Sequence, residues 1–239
     1  MPIVTATINY LDGDMPLEAF IAYDDSIAGQ RPAVLISHAW AGRNQFAEDK
    51  AVELAQMGYL GFALDMYGKG VLGNDNEECS SLMRPFIDDR ARLQARMLAA
   101  LYAIRVLPWT DDSKIAAIGY CFGGLCVLDL ARSGAAIKGV VSFHGLLSAP
   151  ENVVKNPIKA KVLVLHGNDD PMAPVEQVHA LQDELTDAGA DWQIHNYGHT
   201  LHAFTNPVAN DPDFGTVYKP VADARSWLSM QNFLNEVFL

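Results

Sequence analysis

A cysteine stands at the centre of residues 119–123, which read Gly-Tyr-Cys-Phe-Gly. The apolar run at 115–119 predicts a strand, and the periodicity of 122–134 predicts a helix. Together they fit the G-x-S-x-G nucleophile elbow, with Cys121 in the serine position. Glycines on both sides permit close chain approach, and the N-terminus of a helix would stabilise a thiolate at Cys121. We therefore predict a nucleophilic thiol, in preference to a buried structural cysteine.

A nucleophile of this type needs an acid and then a histidine later in the chain. The acid is expected after the predicted strand 161–167, where Asp169 and Asp170 stand. Asp170 is the preferred candidate, and Asp169 is more typical of turn chemistry. The histidine is expected after the last strand, where His199 and His202 are both available. No metal is expected at this His-x-x-His pair, because a third ligand is not evident.

These residues need a scaffold, and the sequence predicts one of α/β class. Apolar runs alternate with helical patterns from residue 33 onward, which predicts a mostly parallel central sheet with helices on both faces, a three-layer sandwich. Ligands bind such sheets at the carboxyl ends of the strands. Residues 66–81 are glycine-rich and polar and predict a loop. The predicted strands are 17–23, 33–37, 59–65, 115–119, 139–144, 161–167 and 191–197. The predicted helices are 46–58, 88–107, 122–134, 174–189 and 222–238.

Bulk composition restricts the partners and the compartment. The 239 residues are 50% hydrophobic and are expected to form one domain, 1–239. The formal net charge of -12 argues against nucleic acid or an anionic membrane as partner. Three unpatterned cysteines, no secretory signal and no membrane-length apolar run favour a reduced, cytoplasmic protein.

Five segments, in this order, resemble the dienelactone hydrolase family of the α/β-hydrolase fold. The resemblance covers nearly the whole chain. It implies an α/β-hydrolase fold and hydrolysis of a small ester or lactone through an acyl-thioester, without cofactor or metal, by a monomer. The segments are SHAWAGRN (37–44), ALDMYG (63–68), GYCFGG (119–124), HGNDDPMAP (166–174) and YGHTLHAFTNP (197–207).

Residue by residue, the resemblance implies a catalytic triad. The family's cysteine falls on Cys121, its aspartate on Asp170 and its histidine on His202, which selects His202 over His199. The oxyanion hole would use the backbone N–H groups of Phe122 and Trp40.

Two departures from the family pattern bear on the substrate. Ala39 stands where dienelactone-cleaving members have a glutamate, and Asn206 stands where they have an arginine that binds the substrate carboxylate. These departures argue against dienelactone as natural substrate and leave ester or lactone hydrolysis intact. The expected pocket residues are His38, Ala39, Tyr67, Arg84, His144 and Phe204, with Arg84 as a loosely aligned second arginine.

Other functions remain open at this point. Within enzymes, the same cysteine could serve a thioesterase or a general carboxylesterase. From another class, the chain could be an inactive homologue that binds a small molecule or a protein. A third reading is a thiol redox sensor, with Cys79 as the partner of Cys121.

Overall fold

The computed structural model describes residues 2–239. Its strands are β1 (Ile3–Asp12), β2 (Met15–Asp24), β3 (Arg31–Ser37), β4 (Leu60–Ala63), β5 (Thr110–Tyr120), β6 (Gly139–Phe143), β7 (Lys161–Gly167), β8 (Trp192–Tyr197), β9 (Asn210–Asp211) and β10 (Thr216–Val217). Its helices are α1 (Gln45–Gln56), α2 (Asn76–Ile87), α3 (Arg90–Arg105), α4 (Phe122–Arg132), α5 (Val175–Asp187) and α6 (Pro220–Val237).

Within the described residues, β1 to β8 form one sheet in the order β1-β2-β4-β3-β5-β6-β7-β8. β2 pairs antiparallel with β1 and β4, and the remaining pairs are parallel. The parallel strands are buried on both faces, which is why they read as continuous apolar runs in the sequence. The predicted mostly parallel sheet is confirmed.

Helices cover both faces of this sheet. Successive side chains of a strand point to opposite faces, and Leu35 and Ile36 accordingly belong to two different hydrophobic clusters. Helices α3, α4 and α5 pack on the Leu35 side, and α1 and α6 pack on the Ile36 side. This arrangement confirms the three-layer sandwich. None of the helices within 2–239 has both the length and the apolar character needed to cross a membrane.

Helix α4 is held at its far end by a buried charge cluster, which we call the Asp129 cluster. Asp129 accepts hydrogen bonds from Arg90 Nε at 2.6 Å and from Arg132 Nη1 at 3.1 Å. Both arginines also donate to the carbonyl oxygen of Ser148, and Arg132 pairs with Glu184 at 2.7 Å. The cluster ties α4 to α3, to α5 and to the loop after β6, so it fixes the direction of the helix that begins at Cys121.

Three elements depart from the sequence expectations. Strand β1 was not predicted, and it joins β2 through a tight turn in which Gly13 has a φ of 58°. The loop prediction for 66–81 is wrong from Asn76 onward, because α2 begins there; Asp75 caps it by accepting a hydrogen bond from Glu78 N. The two-residue strands β9 and β10 form a hairpin in a segment for which no element was predicted.

Strand pairing brings the ends of the central strands to one edge. Gly119 of β5 lies opposite Ser37 of β3 and Ser142 of β6, and Phe143 lies opposite Leu165 of β7. The loops that follow β3, β5, β6 and β7 therefore meet at the carboxyl edge of the sheet, where the predicted site residues stand.

Candidate active site

Cys121 occupies a strained turn between β5 and α4. Its φ of 55° and ψ of -116° lie in a region that L residues rarely adopt. Its N–H donates to Phe143 O at 3.0 Å, which anchors the turn to β6. A Cβ atom on Gly119 would lie 2.0 Å from Gly123 O, and one on Gly123 would lie 2.0 Å from Ser37 O. The close approach predicted for this motif is therefore present, and the Cys121 side chain stays partly exposed while α4 is buried.

His202 and Asp170 form a buried hydrogen-bonded pair. His202 Nδ1 donates to Asp170 Oδ2 over 2.7 Å, and the two side chains are 1% and 0% exposed. The other carboxylate oxygen of Asp170 accepts from Met172 N at 2.8 Å, which fixes its orientation. Because Nδ1 carries the proton shared with Asp170, Nε2 is the nitrogen left for exchange with another group. Nε2 is buried and has no partner of good hydrogen-bond geometry among the described residues.

The surroundings of His202 favour its charged form. Burial lowers the pKa of His202, but the negative charge of the Cys121 thiolate, the hydrogen bond to Asp170 and the contact with the Cys121 sulfur outweigh burial. Together they raise the pKa of His202 to about 10. The structure therefore brings Cys121, His202 and Asp170 into one electrostatic unit, in which a negative charge on the sulfur would stabilise a positive charge on the imidazole.

The competing candidates lie outside this unit. The side chain of His199 is 97% exposed, and its Nδ1 lies 3.9 Å from Asp169 Oδ2. The Asp169 side chain is also 44% exposed, so water screens any attraction between them. Within residues 2–239, no group of three or more His, Cys, Asp or Glu side chains is arranged to hold a metal ion.

Two backbone N–H groups near Cys121 are without acceptors. Neither Phe122 N, in the first turn of α4, nor Trp40 N, in the loop after β3, donates a hydrogen bond to any residue in 2–239. The loop that carries Trp40 is firmly held, since Tyr67 Oη donates to Trp40 O at 2.9 Å and Gly73 N donates to Ala41 O at 3.0 Å. Fixed amides of this kind can stabilise negative charge on a substrate oxygen.

The side chain of His38 also holds the loop that carries Trp40. Its Nδ1 donates to Ala39 O at 2.6 Å, and its Nε2 accepts from Met66 N at 3.2 Å. Burial lowers the pKa of His38 to about 4, so the ring is neutral at physiological pH and keeps this tautomer. Both ring nitrogens are engaged, which leaves none for a substrate.

His144 and Phe204 pack behind His202 and have almost no exposed surface. The ring of His144 meets the rings of His202 and Phe204 edge-on, each at 5.1 Å between centroids. His144 Nε2 also hydrogen-bonds Thr205 Oγ1 at 2.8 Å, and burial together with the charge of His202 holds the pKa of His144 well below its ordinary value. In this conformation the two side chains support His202 and offer no surface to a substrate.

The two positions expected to correspond to the family's carboxylate-binding arginines are Arg84 and Asn206. Arg84 is exposed on α2 and forms no ion pair or side-chain hydrogen bond within the described part of the chain. Asn206 is partly buried, and its Oδ1 accepts from Val208 N at 3.3 Å in a local turn. Tyr67 is buried beneath Trp40, whereas Ala39 keeps some exposure.

The β9–β10 hairpin is the part of the site that sequence reasoning missed. Gly215 O accepts from His202 N at 2.9 Å, and Val217 N donates to His202 O at 3.1 Å. Gly215 has a φ of 86°, and a Cβ atom there would lie 2.2 Å from Pro171 Cγ. The ring of Phe214 stacks on Trp40 with 5.8 Å between centroids. The turn-forming sequence Asp-Pro-Asp-Phe-Gly at 211–215 was the available signal.

Comparison with known proteins decides the family. The family model described as "Dienelactone hydrolase family" matches residues 17–238. The chain belongs to the dienelactone hydrolase family. This membership confirms the resemblance inferred from the sequence, the α/β-hydrolase fold, and the class of enzyme, a hydrolase of carboxylic ester bonds.

Individual relatives resemble the chain over most or all of its length. A structure titled m3DLH is 35% identical, covers 99% of both chains and superposes with a TM-score of 0.92. A dienelactone hydrolase-like promiscuous phosphotriesterase, P91, from metagenomic libraries is 36% identical over 100% of both chains, with a TM-score of 0.93. A Yersinia pestis protein provisionally named carboxymethylenebutenolidase is 27% identical over 92% of this chain and 84% of its own length.

Proposed function

We propose that this chain hydrolyses a small, uncharged carboxylic ester or lactone, with Cys121 as the nucleophile. The observation that carries the proposal is the buried 2.7 Å hydrogen bond between His202 and Asp170, beside a thiol on a strained elbow. His202 is the proton carrier, and Asp170 orients its ring and stabilises its charged form. A binding protein has no need for these three groups in this arrangement.

The first half of the reaction is acylation. The Cys121 thiolate attacks the carbonyl carbon, a C–S bond forms, and the π electrons move to the oxygen. This oxyanion accepts hydrogen bonds from the N–H groups of Phe122 and Trp40, each of which lowers the barrier by about 3 kcal/mol. The C–O bond to the leaving group then breaks, and the leaving oxygen takes the proton from His202 Nε2. An alcohol departs, or a lactone ring opens, and an acyl-thioester remains.

The second half is deacylation, and the electrostatics of His202 fit it. Acylation removes the negative charge of the thiolate, which is the largest contribution that raises the pKa of His202. The pKa of His202 therefore falls once the thioester has formed, and Nε2 can accept a proton from water. The resulting hydroxide attacks the thioester, and collapse of the intermediate breaks the C–S bond. The carboxylic acid leaves, and the thiolate–imidazolium pair is restored.

The surroundings favour an uncharged substrate. A substrate carboxylate needs a cation, and Asn206 provides none where family members have an arginine. Arg84 is exposed on α2 and makes no ion pair or side-chain hydrogen bond within residues 2–239. Ala39 also removes the glutamate that contacts the resting thiol in dienelactone-cleaving members. For these reasons we propose ester or lactone hydrolysis without a preference for dienelactone. Rates on matched ester, thioester and lactone substrates separate this proposal from a thioesterase.

Phosphotriester hydrolysis is a second candidate activity. P91, whose title describes it as a promiscuous phosphotriesterase, is 36% identical over the whole chain. Ala39 supports this candidate, because no carboxylate stands there to repel the anionic oxygens that develop on phosphorus. Paraoxon hydrolysis by the wild type, with Cys121→Ala as control, tests the candidate directly.

The decisive test compares the wild type with Cys121→Ala and Cys121→Ser on p-nitrophenyl acetate. We expect the alanine variant to lose at least about 10⁴-fold in kcat while its near-UV circular dichroism is unchanged. Intact-mass spectrometry of the wild type under single turnover should show an acetyl adduct, absent from Cys121→Ala. An alanine variant as active as the wild type would refute the proposal. A disulfide between Cys79 and Cys121 after peroxide, lost in Cys79→Ser, would instead favour the redox-sensor reading.

A further inference from the structure

Two aromatic side chains meet across the candidate site, one from each side. Trp40 lies in the loop after β3, and Ser37, the last residue of that strand, packs against the elbow at Gly123. Phe214 lies at the tip of the β9–β10 hairpin. The residue after it, Gly215, accepts a hydrogen bond from His202 N through its carbonyl oxygen. The two rings are nearly parallel, with an interplanar angle of 22° and 5.8 Å between centroids. The stack therefore bridges the nucleophile side and the histidine side of the site.

Both ends of the stack are anchored. The carbonyl oxygen of Trp40 is held by Tyr67 Oη at 2.9 Å. On the other side, Phe214 N donates to Asp211 Oδ1 at 2.9 Å, which fixes the hairpin tip. Pro171 packs against Gly215 so closely that no side chain fits at that position. The rings are thus presented by rigid segments, which allows them to discriminate between ligands.

The stack leaves apolar surface open to solvent, on two loops that adjoin the elbow and His202. Phe214 is 42% exposed, and Trp40 is only partly buried. An exposed aromatic pair on such loops offers binding energy to an apolar ligand, and this energy increases with the area that the ligand covers. The side chains of the stack carry no charge, in keeping with Asn206 in place of an arginine.

We propose that Trp40 and Phe214 form a specificity-determining wall that binds an apolar group of the substrate, either an aromatic ring or an alkyl chain. This inference rests on the proposed ester hydrolysis and adds the class of group that the enzyme prefers. The backbone N–H of Trp40 holds the substrate oxygen, and its side chain, together with Phe214, contacts the group attached to the carbonyl or to the leaving oxygen.

Matched substrates and a Phe214→Ala variant test the proposal. p-Nitrophenyl acetate and p-nitrophenyl hexanoate differ only in the acyl chain, and methyl acetate and phenyl acetate differ only in the alcohol. We expect Phe214→Ala to lower kcat/KM for the more apolar member of at least one pair about tenfold more than for its partner, mainly through KM. Equal effects on both members of both pairs would overturn the proposal, because they indicate a general structural role.

Control variants separate recognition from folding. Phe214→Leu keeps most of the apolar surface and should restore much of the lost preference. Tyr102→Ala removes an aromatic ring that is 60% exposed on α3, away from the site. This variant should leave the ratio of kcat/KM values within each substrate pair unchanged. A ratio that changes equally in Tyr102→Ala would contradict the proposal.

A binding measurement does not depend on turnover. Calorimetry of p-nitrophenyl hexanoate with Cys121→Ala, and with Cys121→Ala carrying Phe214→Ala, should show a Kd about tenfold larger in the double variant. Equal Kd values would overturn the aromatic wall even if the wild type is an active esterase. Loss of affinity together with an inactive wild type would instead refute the proposed reaction and keep the binding wall.

Discussion

The two ends of helix α4 handle buried charge in opposite ways. At its C-terminal part, Asp129 of the Asp129 cluster meets two arginines, and spare arginine donors reach the carbonyl of Ser148. At its N-terminus, Cys121 adjoins the His202–Asp170 pair, where several buried nitrogens lack a hydrogen bond of good geometry within residues 2–239. These are Nε2 of His202 and Nδ1 of both His144 and His166.

The difference separates stability from chemistry. A buried ion pair whose hydrogen bonds are satisfied has no free capacity, so the Asp129 cluster can only hold elements together. An unpaired buried nitrogen costs free energy, and a protein retains it where a ligand or a moving proton uses it. We therefore expect equivalent substitutions at Asp170 and Asp129 to affect different properties. Both aspartates are almost completely buried, which makes them a matched pair.

The largest expected effect belongs to Asp170→Asn. The asparagine keeps the shape of the side chain but removes the charge that orients and stabilises the His202 imidazolium. We expect kcat on p-nitrophenyl acetate to fall on the order of 10⁴-fold, with the folded structure retained. Steady-state kinetics and near-UV circular dichroism on the same preparation check both parts. A loss below about tenfold would mean that Asp170 is not the orienting acid.

Asp129→Asn should produce the complementary result. It leaves the guanidinium groups of Arg90 and Arg132 buried without their shared counter-charge, which should lower the free energy of unfolding by about 3–5 kcal/mol. The folded fraction should keep a kcat close to that of the wild type. Urea unfolding followed by tryptophan fluorescence measures the first quantity. If Asp129→Asn instead reduced kcat as strongly as Asp170→Asn, the contrast between the two ends of α4 would fail.

Removal of the charge of Cys121 should have the smallest effect on the fold and should act mainly on the pKa of His202. With the thiolate present, the His202 imidazolium should persist through neutral pH and lose its proton only as the pH rises through about 10. Cys121→Ala removes the largest contribution that raises the pKa of His202, so the same titration should move to lower pH. Long-range ¹⁵N spectra of the imidazole rings report this shift. An unchanged titration would show that the two groups are not coupled.

Local signals in the sequence were sufficient for most of the scaffold. Helix α3 was predicted at 88–107 and is observed at Arg90–Arg105, because apolar residues such as Leu93, Met97 and Leu101 recur at helical spacing along it. Strand β1 had a usable signal too, since Gly13-Asp14, the two-residue loop between Asp12 and Met15, is a dipeptide that favours a hairpin turn. Helix α2 carried the Asp75…Glu78 spacing of an N-terminal cap, but the glycines that precede it masked that signal.

Contacts between distant segments could not be predicted in the same way. The elbow motif identifies Cys121 by local sequence, whereas the stack of Trp40 on Phe214 joins two loops far apart in the chain. Its geometry depends on the hairpin β9–β10, whose two-residue strands have no period to detect. The packing of His144 and Phe204 behind His202 likewise depends on the sheet register, so the sequence alone suggested pocket residues where the structure has supporting ones.

The close contacts at the elbow have a consequence for how this enzyme can evolve. A methyl group on Gly119 or Gly123 would lie 2.0 Å from a backbone oxygen, so neither position tolerates variation without movement of the main chain. Phe214 is held by its backbone and faces solvent, so its side chain can change without disturbing β5 or α4. Mutational libraries that seek new substrates should therefore leave the turn fixed and sample the hairpin tip. A lineage can acquire new preferences there while Cys121 and its turn stay in place.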